Sequence, residues 1–226
     1  MPGVSIVIVA AGSGSRMGQG DKMFLDIGGL PLIGHTWQRF DQLPETGEIV
    51  IVTRDDARPQ FKELAKRIGA GKPWRLVAGG AARQDSVWNG VNATAAGSEI
   101  VAIQDGARPC TPLAATQLAV ATAREMGAAV LAGRLADTVK RGDDAGRITG
   151  TVDRKNLWAV QTPQVVRREI ILAALAKVRD EGLSITDDTA ACEALGQAVK
   201  LIECDQPNPK ATTPADLPYI ESLLAE

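Results

Sequence analysis

Short runs rich in valine and isoleucine recur along the chain, with stretches of helical length between most of them. The runs are Val4–Val9, Ile49–Thr53, Arg75–Val77, Ile100–Gln104, Ala128–Ala132 and Val199–Ile202. Between or after them lie helix-like stretches at 32–43, 57–68, 83–95, 112–126, 167–180, 187–196 and 214–224. Continuous apolar strands are buried on both faces, and strands alternating with helices predict a mostly parallel sheet with helices on either side. The fold class read here is α/β, a single Rossmann-like domain. In such sheets ligands bind beyond the carboxyl ends of the strands.

One segment breaks the alternation. Residues 133–164 carry no helical period, and "LADTVKR" and "RITGTVDR" flank the turn-like "GDDAG". Two β-prone arms around an Asp/Gly turn predict a hairpin, protruding over about 134–155. A two-stranded hairpin is marginal alone in water, so this arm is expected to pack on something, and a second subunit is the natural candidate. A long mobile loop is the plainer reading of the same residues. With 226 residues, 45% hydrophobic, and no repeat, linker or low-complexity tract, one domain over 1–226 with an arm is expected.

Charge and scarce residues narrow the chemistry. The net charge is −2 without a basic tail, so bulk attraction to nucleic acid is not implied. No apolar run approaches the roughly 18 residues of a membrane span. The first residues show no signal-peptide pattern, and three cysteines without metal-type spacing suit a reduced, cytoplasmic compartment. The single histidine, His35, excludes a His-rich metal site and sits in an amphipathic helical stretch, where a partly buried structural role suffices. Catalysis would then rest on Lys, Arg and Asp, which suit charge stabilisation in phosphoryl or nucleotidyl transfer.

After the first strand comes "VAAGSGSRMGQGDK", residues 9–22. A dinucleotide fingerprint needs a third glycine at 17, where Met17 stands; a Walker loop needs Gly-Lys-Ser/Thr, and Lys22 is followed by Met23. Both motifs fail on spacing. What remains is a small-residue stretch, Ala10 to Gly14, able to pass close to a ligand with its N–H groups turned inward, followed by two cations, Arg16 and Lys22. A glycine-rich solvated turn is the plainer alternative.

Further motifs fall at strand ends. In "AGGAARQDSVWNG" (78–90), Gly79 and Gly80 make a tight turn before a helix opened by Arg83 to Ser86, whose N-terminus suits an anion or a polar base edge. An ordinary strand-to-helix connection capped by Asp85 and Ser86 accounts for it equally. In "QDGARP" (104–109), Asp105 ends a strand and can hold a divalent metal or a substrate hydroxyl; a structural pair with Arg108 is the alternative. Lys210 precedes a helix capped by Thr212 or Thr213 with Pro214. "ITDD" (185–188) reads as a structural helix start with Thr186 as cap.

The pieces "AAGSGSRM", Lys22, "GGAARQDSV", "DGARP", "DTVKR", "TVDRKNLWAVQTPQ", "ITDD" and "NPKATTP" resemble, in order and over nearly the whole chain, those of the 2-C-methyl-D-erythritol 4-phosphate cytidylyltransferases. The chain departs from that pattern at Asp21, where the family has proline, at Ala81, where an acid is frequent, and at Gln104 and Gly106, where His and Ala are usual. The resemblance implies that CTP and the polyol phosphate give the CDP-alcohol and pyrophosphate, with Mg²⁺ as cofactor. It implies transition-state stabilisation by Arg16 and Lys22, and positioning of the attacking phosphate by Arg154 and Lys210. Ala10, Ala11, Gly12, Gly14, Gly80, Arg83 and Ser86 would frame the nucleotide. Asp105, Gly106, Arg108, Thr138 and Thr162 would contact the polyol phosphate, with Asp105 also close to the metal. It further implies a homodimer in which the arm brings Thr138 and Arg154 to the partner's site.

Rival readings are a cytidylyltransferase for ribitol 5-phosphate, a sugar nucleotidyltransferase using another NTP, and a non-catalytic nucleotide sensor. An NAD-binding oxidoreductase would need the glycine that Met17 denies.

Overall fold

The computed structural model describes residues 3–12 and 21–225. The described elements are β1 (Val4–Val9), a 3₁₀ turn (Lys22–Phe24), β2 (Asp26–Ile27), β3 (Leu30–Pro31), α1 (Leu32–Gln42), β4 (Thr46–Thr53), a 3₁₀ turn (Asp55–Ala57), α2 (Arg58–Ile68), β5 (Trp74–Ala78), α3 (Arg83–Asn92), β6 (Ile100–Asp105) and α4 (Leu113–Met126). Then follow β7 (Ala128–Arg134), β8 (Lys140–Gly142), β9 (Ile148–Thr151), β10 (Trp158–Arg167), α5 (Arg168–Asp180), α6 (Asp188–Leu195), β11 (Lys200–Glu203), a 3₁₀ turn (Pro214–Asp216) and α7 (Leu217–Leu224).

Seven strands form the main sheet in the order β11-β7-β10-β6-β1-β4-β5. The ladders are parallel except those of β10 with β6 and β7. The mostly parallel, helix-flanked sheet read from the sequence is therefore present. Alternate residues of the apolar runs serve opposite faces. Ile6 and Ile8 pack with Trp37, Phe40 and Phe61 on one side, while Val7 packs with Val87, Val91 and Leu175 on the other. Both faces are dry, which is why β1 reads as an unbroken apolar run. Helix α3 lies so close to the sheet that a Cβ on Gly90 would meet Val7 Cγ1 at 2.5 Å and Val52 Cγ2 at 2.6 Å.

The sequence reading omitted β10 (Trp158–Arg167), leaving its residues up to Gln164 in the irregular stretch 133–164. The chain leaves the sheet after Arg134 at the carboxyl edge and re-enters at Trp158 on that edge, so the returning strand must run antiparallel. It slots between β7 and β6. Its outer half, Trp158 to Gln161, is partly exposed, while Thr162 to Val166 are buried. That split hides the strand pattern, and a register shift between Val160 and Gln164 interrupts it further. Between Arg134 and Trp158, β8 and β9 pair as a small antiparallel ladder around a turn in which Gly146 has φ 76°.

Of two helix starts, one differs from expectation and the other agrees with it. Helix α6 begins at Asp188, so its cap is Asp187, accepting from Ala190 N, and not Thr186. The last helix opens as a 3₁₀ turn capped by Thr213, with Pro214 at its first position.

Candidate functional site

At the carboxyl edge of β1 and β6 lies a cleft of about 410 Å³, lined among others by Ala11, Gly12, Lys22, Gly80, Arg83, Ser86, Asp105, Gly106 and Lys210. Four separate sequence motifs thus converge on one wall. Ala10 is buried beneath the floor, its N–H donating to Val52 O. Gly14 and Arg16 lie outside the described residues.

On one side, the loop after β5 folds back on the start of α3. Gly80 N donates to Ser86 Oγ at 3.0 Å, and Ala82 N to Asp85 Oδ2 at 3.1 Å. The capping reading of Asp85 and Ser86 and the ligand-facing reading of Gly80 and Arg83 therefore describe the same turn. A Cβ on Gly80 would sit 2.2 Å from Asp85 Cβ, so only glycine permits it.

Asp105, the last residue of β6, is 8% exposed and ringed by cations. Lys210 Nζ lies 2.7 Å from its Oδ2, Arg83 Nη2 is 3.5 Å from Oδ1, and Arg108 Nε is 3.7 Å from Oδ2. Burial alone would raise the Asp105 pKa; Lys210 first, then Arg83 and Arg108, hold it below the ordinary carboxylate value. Arg83 is itself gripped in a two-point pair by Asp188 Oδ1 and Oδ2, at 2.9 and 2.8 Å. Burial opposes the Arg83 charge, but Asp188 and Asp105 raise its pKa above the usual arginine value. Asp188 is fully buried, and Gln164 Oε1 accepts from its N–H at 2.8 Å. "ITDD" thus starts a helix and also fixes a cleft cation.

Arg108 and Thr162 stand behind Asp105 and do not line the cleft. Arg108 Nη1 donates to Asn208 O at 2.6 Å, and Asp105 N donates to Thr162 Oγ1 at 3.1 Å. Asn208, which sequence reasoning passed over, joins three segments. Its Nδ2 donates to Gln161 Oε1 and Thr162 O, and its Oδ1 accepts from Thr111 Oγ1. Gln104 was also missed as a fixing group; its Nε2 donates to Asp105 O, Arg108 O and Thr111 Oγ1. The adjoining "NPK" and "QDGARP" motifs were the available signals.

Thr138 and Arg154 are exposed and stand apart from the cleft lining of their own chain. Arg154 Nη1 donates to Leu135 O at 2.7 Å and also to Ala136 O, binding the two legs of the arm.

Among the described residues lining the cleft Asp105 is the only carboxylate, and among the described residues no cluster of three metal-ligating side chains occurs. This donor set fits a Mg²⁺ ion that would be taken mostly by substrate phosphates and water, with Asp105 as the candidate ligand among the described residues.

A mostly parallel α/β sheet with Lys22, Arg83 and Lys210 lining a cleft at its carboxyl edge defines a site for polyanionic, phosphate-bearing ligands. The family model for 2-C-methyl-D-erythritol 4-phosphate cytidylyltransferase (IspD) matches residues 4–226. The protein of that name from Geobacillus kaustophilus is 41% identical over 220 residues, 97% of this chain and 96% of that one. The crystal structure of 4-diphosphocytidyl-2C-methyl-D-erythritol synthase from Anaerococcus prevotii superposes with a TM-score of 0.87 at 28% identity, covering 99% and 96% of the two chains. The cytidylyltransferase from Thermus thermophilus gives 0.81 at 28%, covering 97% and 98%. The chain belongs to the 2-C-methyl-D-erythritol 4-phosphate cytidylyltransferase family.

Proposed function

We propose that this chain transfers the cytidylyl group of CTP to 2-C-methyl-D-erythritol 4-phosphate, giving 4-diphosphocytidyl-2-C-methyl-D-erythritol and pyrophosphate. The observation that carries this reading is the meeting of Lys22, Arg83, Asp105 and Lys210 in one cleft of a chain that the family model matches over residues 4–226.

An oxygen of the polyol phosphate attacks the α-phosphorus of CTP. The new P–O bond forms as the bond to the bridging oxygen breaks, and pyrophosphate leaves with that electron pair. A phosphate is already nucleophilic near neutral pH, so no strong base is needed. The work is to hold two anions together and to offset charge gathering at the α-phosphate. Arg16 and Lys22 supply that charge. Lys210 and Arg154 hold the attacking phosphate. Ala10, Ala11, Gly12, Gly14, Gly80, Arg83 and Ser86 form the nucleotide side, where small residues leave room for the base and ribose. Asp105 faces the polyol hydroxyls, supported by Gly106, Arg108 and Thr162. Mg²⁺, held by the triphosphate with Asp105 as its one candidate protein ligand, would neutralise phosphate charge.

Thr138 and Arg154 are not among the described residues lining their own cleft, which supports a homodimer whose arms serve the partner's site. No helix among the described residues is long and apolar enough to cross a membrane, and we place the enzyme in the cytoplasm. The test is pyrophosphate release with CTP and Mg²⁺ on methylerythritol phosphate and on ribitol 5-phosphate, with the other NTPs in parallel. Preference for CTP and methylerythritol phosphate is expected. Preference for ribitol 5-phosphate, or for another NTP, overturns the reading.

A further inference from the structure

The 3₁₀ turn Lys22–Phe24 is held from two sides. On the inner side, Met23 is buried and Phe24 packs edge-on against Phe61, with ring centroids 5.1 Å apart. On the outer side, Asp21 caps the turn, its Oδ1 accepting from Met23 N at 3.0 Å. The other oxygen, Oδ2, lies 3.0 Å from Arg54 Nη2. Arg54 follows directly on β4, whose last residue, Thr53, accepts from Gly79 N in the nucleotide-side loop. Lys22 Nζ reaches Ala211 O at 3.1 Å, next to Lys210. The turn therefore spans the cleft from the end of β4 to the Lys210 loop.

A pair of this kind on an open surface contributes little. Here the Asp21 side chain is only 13% exposed, and it does two things with two oxygens. One fixes the backbone that carries Lys22. The other is paired with Arg54, which also holds Asp56 Oδ1 at 3.1 Å, so that a carboxylate one residue from Lys22 is screened from a polyanion. We infer that Asp21 and Arg54 are positioning residues for Lys22: the Asp21 cap sets the turn, and Arg54 masks the Asp21 charge from the triphosphate. This rests on the role of Lys22 proposed above.

The two functions separate by substitution. Asp21→Asn keeps an oxygen for Met23 N–H and removes the charge; Asp21→Ala removes both; Arg54→Gln exposes the charge and leaves the cap. Steady-state kinetics with CTP varied reads the difference. Arg54→Gln is expected to raise KM for CTP about tenfold with kcat little changed, because it removes the cation shared by Asp21 and Asp56, of which Asp21 is the one beside Lys22. Adding Asp21→Asn to it should return KM to within about threefold of the wild-type value, because the exposed charge is gone. Asp21→Ala is expected to lower kcat by about tenfold, as loss of a cap does to the geometry it holds, while Asp21→Asn retains kcat. Thermal unfolding of each variant separates a folding defect from a site defect. Wild-type KM in Arg54→Gln, or no recovery in the double variant, overturns the masking role. Wild-type kcat in Asp21→Ala overturns the cap. Lys22→Ala run alongside distinguishes the cases: unchanged turnover there would remove the role of Lys22 itself, whereas lost turnover there with an inert Asp21 and Arg54 would sink this inference alone.

Discussion

Lys210 Nζ lies 2.7 Å from Asp105 Oδ2, across 105 positions of sequence, and closes the ring of cations around the end of β6. The two residues belong to different motifs and meet only because the segment 204–211 crosses the carboxyl edge of the sheet, with Ala211 N donating to Ala107 O at 2.9 Å. Replacing Asp105 with Asn leaves Lys210, Arg83 and Arg108 facing one another without their shared carboxylate. Stability is expected to fall by about 1–3 kcal/mol, and kcat/KM for the polyol phosphate by about 10²-fold, the scale of losing a preorganised polar contact. The pH dependence follows from the lowered Asp105 pKa. An ionised Asp105 stabilises the fold above the unfolded value, about 4, and that contribution is lost as pH falls through the lower folded value. Denaturant midpoints measured down to acid pH should therefore fall more gently for Asp105→Asn than for the wild type.

Asn208→Ala removes three hydrogen bonds that tie β10, the turn after β6 and the Lys210 loop. The Thr162 carbonyl and the Thr111 hydroxyl would lose a buried partner. A loss of about 2–4 kcal/mol is expected, within the range for a buried polar network, read by urea titration. Because Asn208 also accepts from Arg108 through its backbone, that contact should persist and Arg108 should stay ordered.

The sequence made the parallel sheet legible because β1, β4 and β6 are buried on both faces and so read as unbroken apolar runs. β10 was hidden because its outer half lies in the open next to the arm and its inner half carries Thr162, Pro163 and Gln164. Those polar residues are there for the site: Thr162 accepts from Asp105 N and Gln164 from the Asp188 and Thr189 N–H groups. Cleft residues with a glycine or charge signal at a strand end could be picked out by spacing. Asn208 and Asp188 could not, since their effect depends on which distant backbone groups they meet. The departure at Asp21 from the family's proline gains a physical account. The cap on Met23 N and the pair with Arg54 restrain by contact what a ring restrains by covalent geometry.

Asp216 accepts from the N–H groups of Thr212 and Thr213 and from both their hydroxyls, which lowers its pKa to about 2. A depressed carboxylate stabilises above its unfolded value, about 4, and the contribution disappears as pH falls towards 2. Asp216→Ala should cost about 1 kcal/mol at neutral pH, the usual worth of such a cap, with the difference from wild type closing between pH 4 and 2. A constant difference across that window, measured by thermal unfolding, would rule out the cap as its source.

Thr138 and Arg154 are not among the described residues lining the cleft of their own chain, and this gives the sharpest test of the arm. If each site takes its cleft from one copy and its arm from another, Lys22→Ala and Arg154→Ala damage different halves of the same site. Each variant alone is expected to lose turnover by about 10²-fold or more, the scale of losing one charge-stabilising group. Mixed and allowed to exchange subunits, they form heterodimers in which one site carries both lesions and the other carries neither. With random exchange half of the molecules are heterodimers, each with one intact site, so activity should recover to about a quarter of the wild-type level. Recovery must depend on subunit exchange, absent immediately after mixing and appearing as the dimers re-equilibrate. If the arm serves its own chain, both lesions stay in separate sites and mixing recovers nothing. That result, with the wild-type oligomer intact, would refute the shared site.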